Sequence, residues 1–240
     1  MKEMLKVEDI TKSFGGIRAL HRVSFHVAKK EIVGLIGPNG SGKTTLINVI
    51  SGVYNPDEGK VFYNGENLVG SPPHLIAEKG VVRTFQLTRP FGNLSVIDNV
   101  IVGSLLKSDN MVEARERSIK TLKMVGLGDY LHVLSKDLTT GNRKKLELAR
   151  ALSMEPSLML LDESLAGLTS AEIRGNLTLL KRIRSDRGIS MIVVEHVVKA
   201  VMDVSDRIVV LDAGEKIAEG DPQSIANNEQ VVEVYLGKSV

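Results

Sequence analysis

One eight-residue segment, Gly37-Pro38-Asn39-Gly40-Ser41-Gly42-Lys43-Thr44, constrains the fold of this chain more than any other feature of its sequence. An apolar stretch at 31–36 precedes the segment and predicts a buried strand, and residues 45–50 follow it and predict a helix. A strand, the pattern G-x-x-x-x-G-K-[ST] and a helix, in that order, are typical of a P-loop. Its glycines let backbone N–H groups surround a phosphate, and the helix N-terminus adds a partial positive charge. The segment therefore predicts a binding site for a nucleoside triphosphate.

The P-loop side chains have separate expected roles. Lys43 is expected to reach the β- and γ-phosphates, and the Thr44 hydroxyl is expected to bind Mg²⁺. The residues that we expect to bind the nucleotide here are Gly37, Pro38, Asn39, Gly40, Ser41, Gly42, Lys43, Thr44 and Thr45.

Composition and charge argue against several classes of protein. A net charge of +2 gives no support for a nucleic-acid partner, and the absence of cysteine excludes a disulfide framework and thiol chemistry. The N-terminus carries charge where a signal peptide needs an apolar run. The apolar runs, as at 158–161, 191–194 and 208–211, are shorter than the ~18 residues of a membrane span. We therefore expect a protein that is soluble by itself and reaches a membrane only through a partner.

Two patterns predict the secondary structure on either side of a helical middle region. Apolar and polar residues alternate near Leu5 and Val7, at 23–27 and at 61–63, and Asn64-Gly65 predicts a hairpin turn after them. These segments predict a β-rich layer beside the P-loop strand. From about residue 90 to 151 helix formers dominate, and 111–125 has helical periodicity.

The second half of the chain predicts a parallel sheet. Two apolar strands, at 158–161 and 191–194, flank a helix that begins with the capping box Thr169-Ser170-Ala171-Glu172. Strands that are apolar throughout are typical of parallel sheets covered on both faces. We expect an α/β fold: a P-loop NTPase core, with a parallel sheet flanked by helices, an antiparallel β layer and a helical subdomain insertion. One domain, 1–240, would comprise the α/β core with its β layer (1–88 and 154–240) and the helical subdomain (89–153).

An acidic pair ends the first of these apolar strands. In a parallel sheet, a side chain at the carboxyl end of a strand lies at the edge where ligands bind. We expect Asp162 to hold Mg²⁺, mainly through water, because Mg²⁺ keeps much of its hydration shell. Glu163 is expected to point the other way and to polarise the attacking water. Such a pair is weak support by itself, and the P-loop upstream makes it strong.

The ordered set of motifs resembles the ATP-binding subunit of ABC (ATP-binding cassette) transporters over essentially the whole chain. The set comprises the P-loop, the segment Leu138-Thr139-Thr140-Gly141 before a helix, Asp162-Glu163, and His196 after the next strand. Within that family the chain is most similar to the branched-chain amino acid import ATPases. The segments 14–20, 74–80 and 83–86 carry this closer likeness.

The resemblance implies further roles. Phe14 matches the aromatic residue that stacks on adenine, although a lone Phe near a strand end is more often part of a core. Gln86 matches the glutamine that contacts Mg²⁺ and the water site from a mobile loop, and His196 matches the histidine that contacts the γ-phosphate. The implied catalytic residues are Glu163, His196 and Gln86, and the implied metal ligands are Thr44, Gln86 and Asp162.

The segment at 138–142 matches the family's signature loop. In the family this loop binds the ATP of the opposite subunit, so the resemblance implies that Thr139 and Gly141 complete the site of a second ATPase subunit, of the same or another kind. Here Thr139 replaces the usual serine and Asn142 the usual glutamine. Ser164 stands where proline usually follows the glutamate, and Thr169 where aspartate is common. These departures bear on the rate and on the tightness of dimer closure, and the groups for hydrolysis remain.

The resemblance therefore implies an ATPase, with ATP and Mg²⁺ as cofactors, that powers import of branched-chain amino acids. Its expected partners are integral membrane permease subunits and, indirectly, a periplasmic or extracellular solute-binding protein, with no nucleic acid. Its expected location is the cytoplasmic face of the cell membrane. Export of a lipid or lipopolysaccharide is the alternative. A soluble ABC ATPase that acts on DNA or ribosomes is less favoured, because the sequence has no second P-loop and no sustained heptads.

Overall fold

Two sheets and the helices between and around them form the fold. The computed structural model describes residues 3–84 and 90–236. The strands in these ranges are β1 (Glu3–Phe14), β2 (Ile17–Ala28), β3 (Ile32–Ile36), β4 (Glu58–Tyr63), β5 (Glu66–Asn67), β6 (Val81–Arg83), β7 (Leu158–Asp162), β8 (Ser190–Val194), β9 (Arg207–Asp212) and β10 (Glu215–Gly220). The helices are α1 (Lys43–Ile50), α2 (Pro73–Glu78), α3 (Val96–Ser104), α4 (Met111–Met124), α5 (Thr140–Ser153), α6 (Ser170–Arg187), α7 (Val198–Val204), α8 (Pro222–Ala226) and α9 (Glu229–Leu236). Short 3₁₀ turns occur at Gly128–Tyr130 and Ser135–Asp137.

The larger sheet carries the P-loop strand in its interior. Its order is β10-β9-β3-β8-β7-β6. The strands from β9 to β6 run parallel, and β10 is an antiparallel edge strand paired with β9. All residues of β3, β7 and β8 are buried, as their continuous apolar sequences require in a sheet covered on both faces. The predicted parallel sheet is confirmed.

The smaller sheet is antiparallel, with the order β2-β1-β4-β5. Val7 of β1 lies opposite Phe25 of β2 on one side and opposite Val61 of β4 on the other. Asn64 and Gly65 both have positive φ angles, +49° and +87°, and turn the chain from β4 into β5. The predicted β layer and its hairpin are therefore confirmed.

Alternate residues of the central strands face two different cores. Ile192 and Val194 of β8 pack with α1 and with the antiparallel sheet, so α1 lies between the two sheets. Met191 and Val193 face the opposite side, where they share a core with apolar residues of α3, α4, α5 and α6. This alternation follows from the two-residue period of a strand. It leaves the carboxyl ends of β3, β7 and β8 at one edge of the sheet.

The helices α3, α4 and α5 lie between β6 and β7 in the chain. The Asn110 side chain caps α4 by accepting from the backbone N–H groups of Val112 and Glu113. Leu122 of α4 is buried in the same core as Leu161 of β7. Because this core is continuous with that of the sheet, the boundaries 89–153 of a separate helical subdomain stay a prediction.

Two local features position the elements around the site. The Thr169 capping box is formed as predicted, so α6 begins at Ser170. Gly34, in the middle of β3, allows α7 to pack closely, because a Cβ there would lie 2.4 Å from Cγ1 of Val201.

No helix within the described ranges combines the length and the apolar character needed to cross a bilayer.

Candidate nucleotide-binding site

The P-loop connects β3 to α1 through tightly packed glycines. The φ angles of Gly37 and Gly42 are +153° and +100°. A Cβ at Gly37 would lie 2.1 Å from the carbonyl oxygen of Leu211, and one at Gly42 would lie 2.6 Å from that of Ala19. Both positions therefore require glycine for conformation and for space. Because Gly42 begins the turn, α1 starts at Lys43, two residues before the predicted start.

The ammonium group of Lys43 lies inside the curve of this loop. Its Nζ donates to the carbonyl oxygens of Gly37 at 2.9 Å and Pro38 at 2.8 Å. Burial lowers the pKa of Lys43, while the charges of Glu163 and Asp162 oppose this shift. The loop thus holds a buried cation near two carboxylates, an arrangement suited to a triphosphate bound with a metal ion.

Asp162 ends β7 beside β8. Its Oδ2 accepts from Nη2 of Arg83 at 2.8 Å, and Arg83 also donates to Oδ1 of Asn48 in α1. The buried Oδ1 of Asp162 has no hydrogen-bond partner among the described residues. No group of three or more His, Cys, Asp or Glu side chains in these residues could hold a metal ion by itself. The free oxygen therefore fits a hydrated Mg²⁺ that is held mostly by water and phosphate.

Glu163 follows Asp162 in the chain and contacts His196. Its Oε1 lies 2.7 Å from Nε2 of His196, and its backbone N–H donates to the carbonyl oxygen of Val194 at 2.9 Å. Nζ of Lys144 in α5 donates to the Glu163 carbonyl oxygen at 3.3 Å. The φ angle of Glu163 is +51°, a left-handed conformation that is uncommon for a residue with a Cβ. The structure thus brings together two of the three predicted catalytic side chains.

Glu195 is a buried acid that belongs to none of the sequence motifs. Its Oε1 accepts from the backbone N–H of Leu165 at 2.7 Å and from Oγ of Ser164 at 3.1 Å. Burial raises the pKa of Glu195 to about 7, although these hydrogen bonds and the charge of Lys144 act in the opposite direction. The sequence does contain a signal for Glu195, because this acid follows an apolar strand in the same way as Asp162.

Phe14 lies on the surface at the end of β1. Its side chain is partly exposed, its ring meets the Tyr54 ring edge-on at 5.2 Å, and Nζ of Lys12 lies 5.5 Å from its centroid. The ring therefore has free area against which a flat base could stack. Its role in binding adenine stays a prediction.

The predicted signature residues lie at the start of α5. Thr139 is the N-cap, and its Oγ1 accepts from the backbone N–H of Asn142 at 3.3 Å. Gly141 packs against α6, since a Cβ there would lie 2.4 Å from Oε1 of Glu172. Gln86, the remaining predicted site residue, lies outside the described residues.

Comparison with known proteins identifies the family. The ABC transporter family profile matches residues 20–166, and that of the branched-chain amino acid ATP-binding cassette transporters matches residues 215–240. The high-affinity branched-chain amino acid transport ATP-binding protein BraF of Pseudomonas aeruginosa is 35% identical, over 99% of each chain. The corresponding protein LivG of Escherichia coli K12 is 36% identical, over 98% of each chain.

Solved structures agree with the sequence relatives. An ATP-binding cassette of an ABC transporter in its ADP conformation superimposes with a TM-score of 0.90 at 30% identity, covering 99% of this chain and 100% of that one. A dimeric cassette in a post-hydrolysis state, bound to ADP and Pi, has a TM-score of 0.82 at 26% identity, covering 91% of this chain and 99% of that one. The chain described here therefore belongs to the ABC transporter family, as an ATP-binding subunit that hydrolyses ATP.

Proposed function

We propose that this ATPase powers the import of branched-chain amino acids through integral membrane permease subunits. The observation that carries the proposal is the full-length similarity to branched-chain amino acid transport ATP-binding proteins, at 35–36% identity. The match of residues 215–240 to a family of branched-chain transporters supports the same cargo independently of the ATPase motifs. The ATPase would act at the cytoplasmic face of the membrane, where it has access to ATP.

Five residues would carry the hydrolysis step. Lys43 and the P-loop amides would bind the β- and γ-phosphates, and the Thr44 hydroxyl and Asp162 would hold Mg²⁺. When bound, Mg²⁺ neutralises part of the phosphate charge. Glu163 would accept a proton from the attacking water, and His196, 2.7 Å from Glu163, would orient that carboxylate and contact the γ-phosphate. Gln86 would join this set as a further metal and water contact.

A second ATPase subunit would complete each site. Thr139 and Gly141 lie at the N-terminus of α5, a 14-residue helix whose first turn can bind an anion. A dimer in head-to-tail orientation would place this turn against the γ-phosphate held by the partner subunit's P-loop. The Thr139 hydroxyl and the free backbone N–H groups would then contact ATP from the opposite side. A dimeric relative bound to ADP and Pi supports this arrangement.

An apolar groove is the proposed docking surface for the permease. The groove has a volume of about 450 Å³ and lies between α2, β6, α3 and α5. Val53 and Val102 line it and are 46% and 49% exposed, so the groove presents apolar surface to solvent. Arg83, which pairs with Asp162, forms part of its lining. A cytoplasmic helix of the permease bound here would therefore contact Arg83, which in turn contacts Asp162 of the nucleotide site.

Reconstitution tests the cargo. The ATPase and the membrane proteins that co-purify with it are placed in proteoliposomes with the solute-binding protein of the same system. Loading that protein with leucine, isoleucine or valine is expected to stimulate ATP hydrolysis and uptake of the labelled amino acid, and Glu163→Gln is expected to abolish both. Stimulation by a lipid or lipopolysaccharide instead of these amino acids would overturn the proposed import function.

A further inference from the structure

Four hydrogen bonds join the chain that follows β7 to the chain at the end of β8. Two of them involve Glu163 itself: its N–H donates to Val194 at 2.9 Å, and its carboxylate contacts His196 at 2.7 Å. The other two end on one oxygen, Oε1 of Glu195, which accepts from Leu165 at 2.7 Å and from Ser164 at 3.1 Å. Glu195 therefore fastens the two residues after Glu163 to the strand that leads to His196.

The backbone at Glu163 depends on such restraint. A left-handed conformation costs a residue with a Cβ roughly 1–2 kcal/mol, so an unrestrained turn would relax toward other φ values. Any relaxation would rotate the Cα–Cβ bond and move the carboxylate away from His196. The N–H of Glu163, its carbonyl oxygen and the next two residues are each held by a separate hydrogen bond. Two of these four restraints come from Glu195.

Packing alone does not explain a carboxyl group at position 195. The residue is only 4% exposed, and burying an ionised group costs more than burying an apolar one of the same size. Lys144, the cation whose charge acts on Glu195, also donates to the carbonyl oxygen of Glu163. Lys144 and Glu195 are both buried, and the hydrogen bonds of both end on the same turn.

We propose that Glu195 is a positioning residue for ATP hydrolysis, which fixes the turn at 163–165 so that the Glu163 carboxylate faces the attacking water. The inference rests on the proposed role of Glu163 as the general base. Glu195 itself need not touch ATP, since its hydrogen bonds end on Ser164 and Leu165. Loss of Glu195 would therefore impair the chemical step and leave the P-loop unchanged.

Three variants of the 240-residue chain separate positioning from structural support. In Glu195→Ala both hydrogen bonds are lost, and we expect kcat to fall roughly 10–100-fold, the scale of a misplaced catalytic group. The KM for ATP and the affinity for a fluorescent ATP analogue are expected to change by less than about threefold, because Lys43 keeps its contacts. In Glu195→Gln the amide oxygen can still accept both bonds, so kcat should stay within about threefold of the original. Ser164→Ala removes one bond and should have an intermediate effect.

Controls identify the source of any failure. Ile225→Ala removes a buried side chain far along the chain from the turn and reports the effect of lost stability alone on kcat. If Glu195→Ala does not fold, Ser164→Ala carries the test. An unchanged kcat in Glu195→Ala, an equal loss of kcat and ATP affinity, or a Glu195→Gln variant as slow as Glu195→Ala would each overturn the inference. Substantial activity in Glu163→Gln would instead overturn the proposed role of Glu163.

Discussion

The guanidinium of Arg83 and the carboxylate of Asp162 form a buried ion pair, with Nη2 2.8 Å from Oδ2 and side chains only 9% and 3% exposed. Arg83 also donates to Asn48, so the pair ties β6 and α1 to the end of β7. Because Arg83 engages Oδ2 and Oδ1 has no partner among the described residues, the pair fixes which oxygen of Asp162 is presented to the site. An orientation set by a neighbouring strand is a physical reason for arginine at the end of β6.

Substitutions of Arg83 and Asp162 should not be additive in their effect on stability. In Arg83→Met the Asp162 carboxylate stays buried without its cation, and we expect a loss of about 3–5 kcal/mol in the free energy of unfolding. In Arg83→Met/Asp162→Asn the uncompensated charge is gone, so the double variant should lose less than the sum of the two single losses. Urea denaturation of all four proteins completes the cycle. Strictly additive losses would show that the two side chains do not depend on each other.

Lys43→Ala should abolish measurable ATP binding. The substitution removes the buried ammonium group that lies within the P-loop curve, so the β- and γ-phosphates would lose their lysine contact. Equilibrium titration with a fluorescent ATP analogue measures the effect. Lys120→Ala, which removes an exposed lysine of α4, is the matched control and should bind normally. Equal ATP affinities in the two variants would show that Lys43 does not contribute to ATP binding.

Glu163→Gln should slow hydrolysis by on the order of 10²–10⁴-fold, the scale expected for loss of a positioned general base. ATP binding should persist, because glutamine is nearly isosteric and Lys43, Thr44 and Asp162 are unchanged. ATP that is bound and not hydrolysed should then accumulate a dimer, which gel filtration with Mg-ATP detects.

Adding Thr139→Asp to Glu163→Gln should disperse that dimer. The new carboxylate would face the partner's triphosphate, and like charges repel. Aspartate is as good an N-cap as threonine, so α5 should remain folded, and circular dichroism verifies this. A double variant that still dimerises with Mg-ATP would place the signature turn away from the partner's nucleotide.

The pH dependence of stability should report the burial of Glu195. Its folded pKa of about 7 lies above the ordinary value of 4.5, so between these values the folded state binds the proton that the unfolded state has released. Stability therefore falls as the pH rises through this window, by about 3 kcal/mol in total. Glu195→Gln has no such titration, so its free energy of unfolding relative to the original protein should rise by about that amount from pH 4.5 to pH 8. Urea denaturation at both pH values measures the difference, and a constant difference would contradict the prediction.

Features that depend on nearby residues were predictable from the sequence. The P-loop, the capping box at Thr169 and the turn at Asn64-Gly65 each need only a few consecutive residues. The P-loop helix differed by two residues because the left-handed Gly42 begins the turn earlier than the apolar pattern indicates.

Contacts across the sheet were not predictable in this way. Arg83 and Asp162 are 79 residues apart and meet because β7 lies between β6 and β8, an order that periodicity does not encode. Glu195 and Leu165, 30 residues apart, meet for the same reason. The roles of Phe14, Gln86, Thr139 and Gly141 stay predictions, because they concern a nucleotide or a partner subunit.

Gly34 has no Cβ, and this determines how closely the P-loop strand and the helix after His196 can pack. Gly34 belongs to the strand that ends in the P-loop, and Val201 belongs to the helix that begins two residues after His196. Even an alanine at Gly34 would place its Cβ 2.4 Å from Val201 and 2.7 Å from Ile208, so α7 would have to move outward. The distance between the phosphate-binding loop and the histidine that follows β8 is therefore limited from the interior of the sheet, by a buried residue that lies outside the P-loop motif.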